Sequence, residues 1–103
     1  MSGTGRTAPA AQAVPVKLAL FDRDGVLNVD KAYLYRPEDA EWMPDAREAV
    51  SWLNSRGYTV VVVTNQSGVA RGYYTEADVQ RFHTWMTEEF AKAGAAIARF
   101  YYC

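Results

Sequence analysis

A parallel α/β fold is the class this sequence predicts, and three features carry the prediction. Two apolar runs, "VKLALF" (16–21) and "YTVVVVT" (58–64), have the length and aliphatic character of buried strands. Each is followed by a loop and then by a segment with apolar residues at helical spacing. A third run, "IARFYY" (97–102), completes the order β–loop–α–β–loop–α–β. Right-handed crossovers then give a three-stranded parallel sheet with helices packed on it. The four consecutive valines, 60–63, show no alternation, which predicts burial on both faces of the sheet.

The elements follow in order. After the first strand, residues 22–44 read as irregular, because Gly25, Asn28, Asp30, Pro37 and Pro44 are turn formers. Asp45 is the expected N-cap of the first helix, with Glu48 at capping-box spacing. Ala46, Ala49, Val50 and Leu53 form its apolar face, and Gly57 is a natural stop. Residues 65–74 read as a second loop. Thr75 and Asp78 are expected to cap the second helix, whose apolar face holds Val79, Phe82, Trp85, Met86 and Phe90. Gly94 ends it. Trp52 and Trp85 are expected to pack against the sheet, Trp42 to join the core or cover it, and His83 to sit at the margin of its helix's apolar face.

Composition bounds the function. A chain of 103 residues, half of them hydrophobic, supports one small domain with a packed core. A net charge of −1 gives no basic footprint for nucleic acid, and no apolar run has the length of a membrane span. The single cysteine, Cys103, cannot form an internal disulfide, so a cytoplasmic setting is expected. Residues 1–15 are small, polar and proline-containing and read as a flexible leader; 16–103 read as the domain.

The chemistry is expected in the two loops, because ligands of open parallel sheets bind beyond the carboxyl ends of the strands. Asp22 and Asp24 stand at the end of the first strand, Thr64 and Asn65 at the end of the second. In an extended segment, residues i and i+2 project to one side. Two carboxylates so placed repel unless a proton or cation relieves them, and Mg²⁺ suits such a pair together with phosphate and water. One aspartate can attack phosphorus and the other can transfer protons. The Thr64 hydroxyl and nearby backbone N–H groups can hold a phosphoryl oxygen. The plainer alternative is that these are ordinary turn residues. Arg23, by alternation, is expected to point away from the two aspartates and to brace the loop rather than touch phosphate.

These motifs carry a resemblance. "FDRDGVLN" (21–28) resembles the first motif of the haloacid dehalogenase superfamily of phosphatases. "VVVTNQSGVARGYYT" (61–75) resembles the second, in the form seen among heptose bisphosphate phosphatases; the related histidinol-phosphatase domains share the first pattern. The resemblance implies a Rossmann-like three-layer α/β/α fold, of which this chain holds about three strands and two helices. It implies Asp22 as nucleophile, Asp24 as general acid/base and Thr64 as phosphoryl stabiliser, with Mg²⁺ on Asp22 and on Asp24 through its main-chain carbonyl. Asn28, Asp30, Tyr33, Asn65, Gln66, Ser67 and Arg71 would contact a sugar phosphate. Lys31-Ala32 departs from the His-Gly often found after the residue matching Asp30.

Cys103 would be the first ligand of a structural Zn²⁺ that family members complete further along. The Arg-Lys pair and last aspartate of the family site also lie beyond the portion matched. Three readings stand: an N-terminal piece of a sugar-phosphate phosphatase, a non-catalytic remnant that offers an open strand edge for self-association, and a histidinol-phosphate phosphatase.

Overall fold

The computed structural model describes residues 16–103, so the expected leader at 1–15 lies outside the described residues. The chain runs β1 (Lys17–Asp22), α1 (Ala46–Ser55), β2 (Tyr58–Thr64), α2 (Ser67–Ala70), α3 (Glu76–Lys92) and β3 (Arg99–Tyr102), with a single 3-10 turn at Pro37–Asp39. The strands form one parallel sheet in the order β1-β2-β3. Register pairs Phe21 with Val62 and Asp22 with Val63, and Thr64 with Tyr102. Both loops therefore leave the same end of the sheet. Among the described residues, no helix is long and apolar enough to cross a membrane.

The core lies on one face of the sheet. Val60 and Val62 of β2 pack with Ala46 and Val50 of α1 and with Phe82, Met86 and Phe90 of α3. Each such aliphatic or aromatic side chain contributes about 1.5–3 kcal/mol when fully buried. Two successive right-handed crossovers running the same way along the sheet place both helices on the same side. The other face is bare among the described residues: Leu18 and Leu20 are 52% and 66% exposed, and Val63 and Tyr101 are exposed beside them. The valine run is thus only partly buried. Val60, Val61 and Val62 are covered, whereas Val63 faces solvent.

Local expectations meet mixed outcomes. Thr75 and Asp78 form the expected capping box, each side chain bonded to the other's backbone N–H. Asp45 does not. It sits in the left-handed region at φ 63°, and its carboxylate caps nothing. An N-cap side chain reaches the first-turn N–H groups from extended backbone, which Asp45 lacks. Gly94, at φ 76°, follows α3 in the left-handed conformation a helix stop favours. The loop at 65–74 contains the short helix α2. Trp42 stacks on Trp85 at 5.3 Å and meets the edge of Phe90, so it belongs to the core. Trp52 does not pack on the sheet; it is exposed, with the Arg56 guanidinium 3.8 Å from its ring centroid. His83 is buried rather than marginal, because β3 and Arg23 close over it.

Candidate active site

β1 ends at Asp22, and the chain turns at once. The Arg23 carbonyl accepts from the N–H groups of Val26, Leu27 and Asn28. Residues 27–29 then pair with 41–43 through Val29 N–H to Glu41 O at 2.8 Å and Met43 N–H to Leu27 O at 2.9 Å. This pairing closes the loop over the sheet end and buries Leu27 and Asn28. Asp22 remains exposed, its Oδ1 accepting from the Arg23 N–H at 3.1 Å. A solvent-open cavity of about 510 Å³ lies against it, lined also by Leu20, Phe21, Val63, Thr64, Asn65 and Cys103.

Asp24 is held on several sides. Its Oδ1 accepts from Arg23 Nη2 at 2.9 Å, Arg23 Nε at 3.2 Å and Asn28 Nδ2 at 3.1 Å. Its Oδ2 accepts from Thr64 Oγ1 at 3.4 Å. Arg23 therefore curls back onto Asp24, against the alternation argument. Alternation holds only within a strand, and Arg23 lies one residue past the end of β1.

Thr64 is buried at the end of β2 and accepts from Gln66 Nε2 at 2.9 Å. Gln66 in turn accepts from the Tyr74 hydroxyl at 2.5 Å. A continuous polar chain thus runs Tyr74–Gln66–Thr64–Asp24–Arg23–His83. Its far end was not legible as part of a site in the sequence. His83 is sixty-one residues along the chain from Asp22, and only the helix packing brings it to Arg23.

The remaining candidate residues fall into two groups. Asn28 and Gln66 are buried and spend their amides within the loops; Asn28 Oδ1 has no partner. Asp30, Tyr33, Asn65, Ser67 and Arg71 are exposed; of these Asn65 lines the cavity at Asp22, whereas Asp30, Tyr33 and Arg71 do not line it. Asp30 Oδ1 accepts from the Ala32 N–H at 3.1 Å. Ala32 and Tyr33 both adopt positive φ, at 49° and 59°, and Tyr33 meets the edge of Tyr73 at a centroid distance of 4.7 Å. Consecutive non-glycine residues in this region are uncommon and mark a loop held by its surroundings. A second cavity of about 430 Å³ adjoins Asn65, Gln66, Ser67, Tyr102 and Cys103.

The donor chemistry fits a magnesium ion in part. Asp22 offers a hard carboxylate oxygen at an open strand end and Asp24 its main-chain carbonyl, and Mg²⁺ completes its octahedron with phosphate and water. It does not fit zinc. Cys103 is exposed, and among the described residues no group of three or more His, Cys, Asp or Glu could hold a metal. A structural zinc needs four such ligands.

Paired aspartates at the end of the first strand of a parallel sheet, with a threonine at the end of the second, stand where ligands of such sheets bind. The sequence profile of the haloacid dehalogenase-like hydrolases matches residues 19–100, and the chain belongs to that family. The individual proteins it is similar to are narrower in kind. It is 42% identical over 87 residues to the D-glycero-alpha-D-manno-heptose-1,7-bisphosphate 7-phosphatase of Campylobacter jejuni, covering 84% of this chain and 51% of that protein. It is 45% identical over 85 residues to the D-glycero-beta-D-manno-heptose-1,7-bisphosphate 7-phosphatase of Rhodopseudomonas palustris, covering 82% of this chain and 47% of that one. The crystal structure of the D,D-heptose 1,7-bisphosphate phosphatase from B. bronchiseptica, complexed with magnesium and phosphate, superposes with a TM-score of 0.80 at 35% identity. That match covers 85% of this chain and 50% of the other. The chain thus spans about half the length of the relatives it matches.

Proposed function

We propose that the chain carries the nucleophile half of a Mg²⁺-dependent sugar-phosphate phosphatase, acting on a D-glycero-D-manno-heptose 1,7-bisphosphate. The observation that supports this most directly is Asp22. It is exposed at the mouth of the cavity, while its neighbour Asp24 is anchored through Oδ1. An Asp22 carboxylate oxygen attacks the phosphorus of the 7-phosphate, and the P–O bond to the sugar breaks. The departing oxygen takes a proton from Asp24. Water then attacks the aspartyl-phosphate, gives a proton to Asp24 and releases phosphate, restoring Asp22. The Thr64 hydroxyl, turned from Asp24 Oδ2, and the backbone at Asn65 would hold phosphoryl oxygens. Magnesium, held by Asp22 and Asp24, would offset the crowded negative charge. Asp30, Tyr33, Ser67 and Arg71 are the side chains available to the sugar and the second phosphate. Asn28 and Gln66 act by orienting Asp24 and Thr64. A bisphosphate does not cross a bilayer unaided, so we place the reaction in the cytoplasm.

Phosphate release from the heptose bisphosphate with Mg²⁺ tests this reading. Turnover that vanishes in Asp22→Asn is expected; turnover that survives the substitution overturns it. Histidinol phosphate, run in parallel, ranks the other substrate class.

The bare sheet face favours a second reading, in which the chain associates through its β1 side. Leu18 and Leu20 stand exposed beside a β1 edge that pairs with no other strand among the described residues, a known invitation to pairing. Sedimentation that is independent of concentration would rule it out.

A further inference from the structure

Arg23 is the one lysine or arginine buried among the described residues, at 1% exposure. All three guanidinium nitrogens have partners. Nε and Nη2 donate to Asp24 Oδ1, Nη2 also donates to the Leu34 carbonyl at 3.0 Å, and Nη1 lies 3.1 Å from His83 Nε2. The plane rests against Phe82, with Cζ 4.9 Å from the ring centroid. A guanidinium has only donors, so His83 Nε2 must be the acceptor and its proton must reside on Nδ1. His83 is fixed in turn by stacking on Phe100 of β3, at 4.1 Å and 11° between planes.

The consequence falls on Asp24. Three N–H groups converge on Oδ1, whereas Oδ2 accepts only the long bond from the Thr64 hydroxyl at 3.4 Å, which makes Oδ2 the oxygen open to proton transfer. We propose that Arg23, backed by His83, is a positioning residue that fixes the rotation of the Asp24 carboxylate so that a single oxygen serves proton transfer. It touches no reacting atom. The proposal rests on the phosphatase reading for the role of Asp24, but the clamp itself rests on geometry alone. Lysine cannot replace this arginine, because a point donor cannot reach a carboxylate, a carbonyl and an imidazole at once.

Two measurements test it. In Arg23→Lys, kcat on the heptose bisphosphate is expected to fall about 10–100-fold, the range seen when an orienting partner is lost. KM should stay within about threefold, since Arg23 does not touch substrate. An unchanged kcat overturns the proposal. The second measurement uses the unsubstituted chain: ¹⁵N NMR should show His83 as the Nδ1–H tautomer and Arg23 Nε–H exchanging at least about tenfold more slowly than that of exposed Arg36. A proton on His83 Nε2, or Arg23 exchange matching Arg36, overturns it equally. If the unsubstituted chain releases no phosphate, the phosphatase reading fails by itself. The NMR result then decides whether the clamp exists, as it does if Arg23→Lys fails to fold.

Discussion

Acid should loosen this domain through one residue. His83 is 6% exposed, and burial, reinforced by the Arg23 charge, pushes its pKa from 6.5 down to about 3, against a smaller opposing pull from Asp24. The groups facing it are Arg23 from the β1 loop and Phe100 and Tyr102 from β3, with Phe82 on its own helix. None is a carboxylate able to welcome an imidazolium. An unfolded chain binds a proton at His83 near pH 6.5, whereas the folded chain waits until about pH 3. Its contribution is therefore fully present above pH 6.5 and is lost progressively as pH falls toward 3. At 1.36 kcal/mol per unit, the loss between pH 7 and pH 5 is about 2 kcal/mol. For a domain of this size that lowers Tm by roughly 10 °C. Other groups titrate over the same interval, so the assay compares the chain with His83→Gln, which keeps an acceptor for Arg23 but cannot take a proton. The variant should lose less Tm than the parent on going from pH 7 to pH 5, by about that amount. Equal losses in the two proteins, or a His83 ring-proton resonance that titrates near pH 6.5, would refute the reasoning.

Three further outcomes are expected. Gly68 lies so close to Tyr74 that an added Cβ would fall on the ring, 2.7 Å from its hydroxyl oxygen. Gly68→Ala should therefore destabilise the chain by about 1–3 kcal/mol in denaturant unfolding, and lower phosphate release by shifting Gln66 and Thr64. Thr75→Ala removes the α3 capping box and should cost about 1 kcal/mol, read as a fall in Tm of a few degrees. Leu20→Lys on the bare sheet face should shift any concentration-dependent sedimentation toward monomer without lowering Tm, because Leu20 is mostly exposed.

What the sequence disclosed and what it concealed divide along a physical line. Strand positions and the α3 capping box were legible, because they depend on residues within a few positions of one another. The placement of Asp22, Thr64 and Asn65 beside one cavity was legible too, because two parallel strands of similar length end together. Asp45 misled because side-chain type alone does not report backbone conformation, and its left-handed φ denies it the role its chemistry suits. Arg23 misled for a related reason: a period-two argument was carried one residue past the end of its strand. That error hid the most connected side chain in the site. A charged residue between two carboxylates has two ways to be satisfied, by facing solvent or by pairing inward, and local sequence does not choose between them. The choice is made by α3, which supplies Phe82 as a surface for the guanidinium and His83 as an acceptor for its remaining N–H. A buried arginine without those partners would bear an uncompensated desolvation cost. The motif at 21–28 therefore depends on a helix more than fifty residues downstream, and substitutions there should register at Asp24 before they register in the core.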